Sequence, residues 1–217
     1  ILTNTKIMKS YRIIDDFLKK NHFEKLSNLD LKHTNNDQLS IYKNKIDKTL
    51  NVNSDILNEE LILDLHNSYY DIALNVLEEL APKKVELIDY SEFTIIETGK
   101  DYSFPIHRDI PTKLLSGVIY LLPENNFGTC LYGDGKGSNK KEIEWKQNRA
   151  FFFSRSEENS WHSYKGDSIS NRLVLVYNLM TNDLKKACEL ENINYYKVKL
   201  REKLNPILYR YFKFIIK

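Results

Sequence analysis

Glycine is confined to the middle of this chain, and that distribution restricts where tight turns can form. All seven glycines of the 217 residues lie between Gly99 and Gly166, together with three of the five prolines. Glycine and proline supply the backbone geometries that most turns need, so the central segment is predicted to be turn-rich β structure. The two ends, which lack glycine, are predicted to be helical or extended.

The first third of the chain is predicted to contain one strand and two helices. Residues 11–18 predict a short apolar strand before an acidic turn, and residues 19–26 predict a helix. The polar, Asn-rich residues 27–54 are predicted to be loop with at most one short helix. Apolar residues then recur every three or four positions up to Leu80, which predicts a long amphipathic helix that Asp55 caps and that ends before Pro82.

Short runs rich in Val, Ile, Tyr and Phe follow, separated by turn residues, and they predict an antiparallel sandwich or barrel. From Leu184 onward the pattern is helical again, with a break at Pro206. The predicted fold class is therefore α+β, a β core with helices on either side, in a single domain over residues 1–217. Within it we expect an N-terminal strand and helices over 1–82, the β core over 83–182 and basic helices over 183–217. The predicted strands are 92–97, 114–122, 128–132, 141–145, 149–153 and 172–179.

Charge and cysteine content argue against several classes of protein. Lys and Arg number 32 against 30 Asp and Glu, so the bulk charge gives no reason to expect a nucleic acid partner. Two cysteines, Cys130 and Cys188, make neither a disulfide framework nor a usual cysteine metal site, which predicts a reducing, cytoplasmic setting. No apolar run approaches the ~18 residues of a membrane span. The sequence predicts no particular oligomeric state.

Two of the five histidines lie in the β region and are candidate metal ligands. His107 precedes Asp109 by two positions, and strand geometry places such residues on one face. His162 follows the apolar strand 149–153 and is predicted to supply a third ligand from across the sandwich. Two histidines and one carboxylate, with open positions opposite, form the ligand set of non-haem Fe(II) oxygenases. The remaining histidines are predicted to lie on the surface or on a helix face: His22, His33 and His66.

Further residues follow the candidate ligands in the order in which a known family has them. Arg172 begins the apolar run after His162, and the apolar run 114–122 follows Asp109. On these motifs the chain resembles the Fe(II)- and 2-oxoglutarate-dependent dioxygenases, in the branch similar to prolyl 4-hydroxylases. The resemblance covers residues 88–180 and implies a double-stranded β-helix, also called a jelly roll or cupin-like core, with flanking helices.

The resemblance also implies roles for individual residues. The two histidines and Asp109 would bind Fe(II), and Arg172 would pair with the distal carboxylate of 2-oxoglutarate through its planar fork. Tyr120 matches a family tyrosine that hydrogen-bonds the same carboxylate, and Ser116 matches a nearby hydroxyl position. O₂ would be the second co-substrate, and ascorbate is a further cofactor that the resemblance allows. The implied reaction hydroxylates a C–H bond and releases succinate and CO₂.

Departures from the family pattern leave the substrate open. Phe104 stands three residues before the first histidine, where that branch often has tyrosine, and Tyr102 is a candidate replacement. A peptidyl proline, a small metabolite, a sugar and a lipid-linked group are all compatible with the sequence. The alternative hypothesis is a non-catalytic jelly-roll protein that binds a partner or senses the metal and 2-oxoglutarate.

Three features outside the ligand set have more than one interpretation. Residues 133–140 lack the order and the following helix of a phosphate loop, so they predict either a hairpin tip or a lid over the site. Trp161 is expected either to pack in the core or to contact substrate. The basic, aromatic residues 195–217 predict an amphipathic helix pair on the β core. Their alternative is a contact surface for a partner, an anionic substrate or an anionic membrane.

Overall fold

Two antiparallel sheets form the centre of the computed structural model, which describes residues 11–31 and 34–212. Strands β1 to β11 are Tyr11–Ile14, Leu39–Asp47, Val52–Ser54, Tyr90–Thr98, Ser103–His107, Lys113–Leu122, Thr129–Tyr132, Lys141–Ile143, Ala150–Phe153, Trp161–Lys165 and Arg172–Met180. Helices α1 to α4 are Lys20–Ser27, Glu59–Leu80, Leu184–Leu190 and Tyr195–Phe212, and a 3₁₀ helix spans Pro82–Leu87.

The chain passes repeatedly between the two sheets. The larger sheet has the strand order β1-β9-β6-β11-β4-β2-β3 and the smaller has the order β5-β10-β7-β8. From β4 to β11 the backbone therefore crosses from one sheet to the other and back, as in a double-stranded β-helix. The predicted α+β class, with a jelly-roll core flanked by helices, is confirmed.

Alternate side chains of the central strands pack into two different cores. Phe152 packs in the larger core, between the seven-stranded sheet and helices α1 and α2, whereas Phe151 and Phe153 pack between the sheets. Strand β11 behaves in the same way, with Leu175 in the larger core and Val174 in the smaller one. Both faces of these strands are covered, which explains why apolar residues stand at consecutive positions, as in 150–153 and 173–176.

Gly117 lies within strand β6 rather than in a turn, in agreement with the predicted strand 114–122. A Cβ atom at this position would come within 2.2 Å of the Phe152 ring on the neighbouring strand. Glycine is therefore needed here because the aromatic ring occupies the space of a side chain.

The prediction that residues 27–54 are mainly loop is wrong, because β2 and β3 lie within this segment. Strand β2 pairs with β4 along its whole length and with β3 on its other edge. The buried Asn44 side chain supports this pairing: its amide donates to the Phe93 carbonyl at 2.7 Å and its oxygen accepts from Ser54 Oγ at 2.7 Å. Strands from residues 1–82 thus belong to the larger sheet, so the β core includes residues on the N-terminal side of the boundary expected at position 82.

Helix α2 ends at Leu80 as predicted, but its N-terminal cap is Asn58 rather than Asp55. The Asn58 side chain accepts from the Leu61 amide at 2.8 Å. Asp55 instead accepts from the backbone N–H of Lys43 at 2.7 Å, so its carboxylate stabilises the approach to the helix.

The C-terminal helix α4 continues through Pro206, so the predicted break and helix pair are wrong for the described residues. Val198 is buried near its start, and Tyr209 donates from its hydroxyl to the Ser103 carbonyl at 2.9 Å near its end. These contacts hold the helix on the β core although proline removes one of its hydrogen bonds. Residues 213–217 of the predicted basic segment lie outside the described residues.

The histidines away from the β region differ from one another. His22 is fully buried rather than on the surface, and its ring nitrogens lie 2.7 Å from the Tyr69 hydroxyl and 2.7 Å from an Asp64 oxygen. His66 is half-buried on α2, as expected for a helix-face residue. His33 lies outside the described residues.

Residues 133–140 connect β7 to β8, which pair antiparallel, so the predicted hairpin tip is confirmed. Over residues 11–31 and 34–212, no helix combines the length and the apolar character that crossing a membrane requires.

Replacing Asn44 by alanine is expected to lower the free energy of unfolding by about 3 kcal/mol. The substitution leaves buried backbone and hydroxyl groups without their partner, each at a cost of about 1–3 kcal/mol. Urea unfolding measures the change. The matched control is Asn53→Ala on the exposed face of β3, for which we expect a change within about 0.5 kcal/mol. Equal effects of the two substitutions would contradict the role given to Asn44.

Candidate metal centre

Strand pairing brings together two histidines that are far apart in the sequence, and a carboxylate close to one of them in the chain completes the group. His107 is the last residue of β5, and it lies directly opposite His162 of the adjacent strand β10. The two ring centroids are 4.1 Å apart. Asp109 follows two positions after His107, and the ligand atoms of the three residues all lie within 4.8 Å of one another.

The route by which His162 reaches the site differs from the prediction. It was expected to come from across the sandwich, but it lies in the same sheet as His107, on the neighbouring strand. Asp109 lies just beyond the end of β5, so the loop after the strand, rather than strand alternation, directs its carboxylate.

Backbone carbonyls orient both imidazole rings. His107 Nδ1 lies 3.0 Å from the Pro105 carbonyl, and His162 Nδ1 lies 2.9 Å from the Ser160 carbonyl. A carbonyl oxygen can only accept, so each Nδ1 carries the proton and donates it. The lone pair of each neutral ring is then on Nε2, for which the described part of the chain provides no hydrogen-bond partner. This arrangement is typical of histidines prepared for a metal ion.

Two side chains hold the carboxylate of Asp109 in place. Lys113 Nζ donates to one oxygen at 3.0 Å, and Ser116 Oγ donates to the other at 2.8 Å. Each carboxylate oxygen can accept more than one interaction, so the group keeps capacity for a cation. Asp109 is 8% exposed, which places this capacity inside the protein.

The protein environment favours the protonation states that metal binding needs. Burial, together with the neighbouring His162, lowers the pKa of His107 to about 3, and burial also lowers the pKa of His162. Burial alone would raise the pKa of Asp109, but the positive charge of Lys113, the neighbouring imidazoles and the hydrogen bond from Ser116 together lower it. Around neutral pH the site therefore consists of two neutral imidazoles and one carboxylate.

Arg172 is a buried guanidinium without a carboxylate partner among residues 11–31 and 34–212. It is 5% exposed, its Nε has no hydrogen-bond partner there, and one of its terminal nitrogens lies 3.5 Å from Thr129 Oγ1. Its guanidinium carbon lies 3.8 Å from the centroid of the Tyr164 ring. Burial lowers the pKa of Arg172, yet arginine keeps its charge in proteins, so the site lacks a compensating anion.

The candidate metal ligands and Arg172 line one cavity of about 710 Å³. Its wall includes the three candidate ligands and, elsewhere, Arg172 with Thr129 and Tyr164. Most of the remaining wall is apolar. Many of these apolar residues belong to the inner face of the larger sheet and include Ile96, Val118, Phe153, Val174 and Val176.

Solved structures with a similar fold are 2-oxoglutarate oxygenases. A Pseudomonas putida prolyl-4-hydroxylase matches with a TM-score of 0.51 at 12% identity, over 80% of this chain and 93% of that one. A Trichoplax adhaerens prolyl hydroxylase, solved in complex with a hypoxia inducible factor peptide fragment, matches with a TM-score of 0.55 at 14% identity, over 82% and 86%. A Burkholderia pseudomallei oxidoreductase of the 2OG-Fe(II) oxygenase family matches with a TM-score of 0.55 at 12% identity, over 79% and 84%. The chain has the fold of these oxygenases. No protein-family model and no curated protein matches its sequence.

Within this oxygenase fold, the ligand-binding roles of Tyr120 and Ser116 stay predictions. The Tyr120 hydroxyl accepts from the Thr129 amide at 2.9 Å and donates to the Ile143 carbonyl at 3.4 Å. Its ring stacks on Trp145 and lies 5.5 Å from the Arg172 guanidinium, outside the cavity wall. Ser116 does line the cavity, where its hydroxyl is already bonded to Asp109.

The donor set fits Fe(II). Imidazole nitrogen and carboxylate oxygen are ligands that this metal accepts, and two histidines with one carboxylate are its usual set in oxygenases. Among the described residues, these three form the group of possible metal ligands that the structure brings together.

Sequence reasoning missed Tyr164 and Thr129, the residues that contact Arg172 in the cavity wall. Thr129 lies in the predicted strand 128–132, but the sequence of this strand does not show which of its residues line a cavity and which pack in the core. Tyr164 lies two positions after His162 on strand β10, and residues two apart on a strand lie on the same face. This spacing could have predicted that Tyr164 faces the site.

Arg155 is a second buried arginine, and it holds the loop that contains Asp109. It is 1% exposed, and its Nε donates to the Asp109 carbonyl at 3.3 Å. Its other nitrogens form ion pairs with Glu157 and Glu191. Unlike Arg172, this guanidinium has its compensating charges within the protein.

The ion pairs of Arg155 connect the candidate metal centre to more distant elements. Glu191, at the end of α3, also accepts from Lys84 Nζ at 2.5 Å. Glu157 accepts from Arg108, whose guanidinium carbon lies 4.2 Å from the Trp161 ring centroid. Arg108, which lies between the candidate ligands His107 and Asp109, is therefore held by the same network of ion pairs.

Replacing Arg155 by methionine is expected to lower the free energy of unfolding by about 3–5 kcal/mol. The buried Glu191 carboxylate would lose its guanidinium, and a buried charge without its partner is strongly destabilising. Chemical denaturation measures the change. Arg12→Met is the matched control, because the Arg12–Glu79 pair is exposed and is expected to contribute less than about 1 kcal/mol. An Arg155 effect as small as that of Arg12 would refute the importance of the network.

Proposed function

We propose that this chain is a non-haem Fe(II)- and 2-oxoglutarate-dependent dioxygenase that hydroxylates a C–H bond of its substrate and releases succinate and CO₂. One observation carries the proposal: the two-histidine, one-carboxylate group and the unpaired Arg172 guanidinium line the same cavity. A metal set alone would fit many metalloproteins. The buried arginine adds a place for the carboxylate of an organic co-substrate, and the oxygenase fold supports the same function.

The three candidate ligands would hold Fe(II) through the Nε2 atoms of His107 and His162 and the carboxylate of Asp109. The bound iron, with 2-oxoglutarate and O₂, supplies the oxidising chemistry of the reaction. The carbonyls of Pro105 and Ser160 keep both imidazoles in the metal-binding tautomer. Lys113 and Ser116 hold the Asp109 carboxylate, and thereby limit the reorganisation that metal binding requires.

Arg172 would bind the distal carboxylate of 2-oxoglutarate. Its planar fork suits a carboxylate, and the Thr129 hydroxyl beside it can donate a further hydrogen bond. Tyr120 would act indirectly, since its hydroxyl holds the Thr129 backbone and its ring lies near the guanidinium. The apolar wall around this end of the cavity excludes water and strengthens the charge pairing. Reduction of the metal by ascorbate and a cytoplasmic setting are further parts of the proposal.

His162→Ala and Asp109→Ala are each expected to abolish turnover of 2-oxoglutarate to succinate and to weaken Fe(II) binding strongly, because each removes one of three ligands. Turnover is measured with added Fe(II) and ascorbate, and metal binding by anaerobic titration. His66→Gln serves as the control, since this half-buried histidine on α2 lies outside the cavity wall. Wild-type turnover in His162→Ala would refute the assignment of the site.

Arg172→Leu is expected to weaken 2-oxoglutarate binding by about 1.5–3 kcal/mol, the usual loss for a hydrogen-bonded charged pair. Calorimetry on the metal-loaded protein measures the affinity. Arg172→Lys should give an intermediate loss, since it keeps the charge without the fork. An unchanged affinity in Arg172→Leu would contradict the proposed role.

The same experiments decide between an enzyme and the non-catalytic alternative. Binding of Fe(II) and 2-oxoglutarate without any succinate, even with candidate substrates added, would favour a sensor. Absence of both binding and turnover in the wild-type protein would overturn the proposed function.

A further inference from the structure

The C-terminal helix α4 forms one wall of the cavity that contains the candidate metal centre. The wall residues recur at helical spacing and therefore lie on one face of α4. They are Arg201, Glu202, Asn205, Pro206 and Tyr209.

Helix α4 is attached to the β core before the wall residues and at the last of them, Tyr209. Val198 is buried before them, and the Tyr209 ring lies 5.0 Å from Phe104, with its hydroxyl bonded to the Ser103 carbonyl. The volume of the cavity, about 710 Å³, lies within the range of about 300–1,000 Å³ that is common for small-molecule sites. This favours a small molecule over a polypeptide as the substrate.

Glu202 contributes a carboxylate to the α4 wall, and this carboxylate is not one of the candidate metal ligands. Two acidic side chains line the cavity, and the other is Asp109, which Lys113 and Ser116 already hold. The Glu202 Oε1 atom is buried and has no hydrogen-bond partner among residues 11–31 and 34–212. Burial raises the pKa of Glu202 and the charge of Arg201 opposes that rise, so a cationic partner would favour its ionised form.

Pro206 removes a hydrogen bond from the backbone of the same residue. Proline has no N–H, so the helical bond from position 206 to the Glu202 carbonyl cannot form. Besides this carbonyl, which the proline ring crowds, the Glu202 carboxylate has one buried oxygen, Oε1, without a partner among residues 11–31 and 34–212. An ammonium group, with three donors, matches this requirement.

Arg201 adds a positive group to the same wall. It forms no ion pair with an acid of the described residues, although it lines the cavity next to Glu202. The α4 wall thus presents one negative and one positive side chain on adjacent residues. The sheets supply an apolar wall elsewhere in the cavity, which suits an apolar side chain.

Resting on the proposed function, we propose that the substrate is a free α-amino acid with an apolar side chain, whose ammonium binds Glu202 and whose carboxylate binds Arg201. The reaction converts a C–H bond of that apolar group into C–OH. In the same turnover 2-oxoglutarate loses CO₂ and is oxidised to succinate. One oxygen atom of O₂ enters succinate and the other forms the new hydroxyl group.

The test measures succinate formation by the full-length protein with Fe(II), ascorbate and 2-oxoglutarate, with each of the twenty common L-amino acids added separately. We expect apolar amino acids to stimulate turnover and bind to the Zn(II)- and 2-oxoglutarate-loaded protein in calorimetry. Their N-acetylated, C-amidated derivatives, which lack both charges, should do neither. Stimulation by the capped derivatives or by a proline-containing peptide, or by none of the twenty, would overturn the proposal.

Variants of α4 test the contacts themselves. Glu202→Gln should weaken binding of the stimulating amino acid about tenfold to a hundredfold, the usual effect of losing a hydrogen bond to a charged group. Arg201→Met should do the same, whereas Lys203→Gln on the exposed side of α4 should leave affinity unchanged. Wild-type affinity in both Glu202→Gln and Arg201→Met would refute these contacts. The wild-type protein's binding of Fe(II) and 2-oxoglutarate, measured before any amino acid is added, decides the proposed function separately.

Discussion

The register between β5 and β10 determines the geometry of the candidate metal centre. It places His107 opposite His162, so two rings from distant parts of the sequence meet 4.1 Å apart. A shift of one residue would turn one of these side chains to the other face of the sheet, because side chains alternate along a strand. The bonds from each ring to a backbone carbonyl two residues earlier depend on the same strand ends. The site is therefore a consequence of backbone pairing in the smaller sheet, on which Phe153 of the larger sheet packs against His162.

The two buried arginines show how the protein distributes charge around the cavity. Arg155 has Glu157 and Glu191 as partners, so its charge is balanced and it can hold the Asp109 loop. Arg172 has only a threonine hydroxyl and aromatic residues around it among the described residues. Because an uncompensated buried charge is costly, a structural role alone does not account for Arg172. We therefore propose that Arg172 binds an anion, whereas Arg155 stabilises the fold.

Part of this architecture could be predicted from local pattern. The strands around Phe151 and Leu175 have both faces buried, so their sequences contain consecutive apolar residues and were recognisable. Strand β2 was not recognisable, because its buried Asn44 owes its place to bonds with Phe93 and Ser54. Helix α4 likewise continues through Pro206 because contacts at its two ends outweigh one lost hydrogen bond. In these cases tertiary contacts overrode the local propensity.

The sequence alone identified the candidate ligands His107, Asp109 and His162 and an antiparallel β core, since residue type and order carry that information, and the family resemblance added Arg172 and the jelly-roll class. The tertiary structure alone decided that both histidines lie in one sheet and that Tyr164 and Thr129, rather than Tyr120, line the cavity beside Arg172. It also decided that α4 closes one side of the cavity with Glu202 and Arg201. The physical reason is that these outcomes depend on strand register and on contacts between distant segments, which no local periodicity encodes.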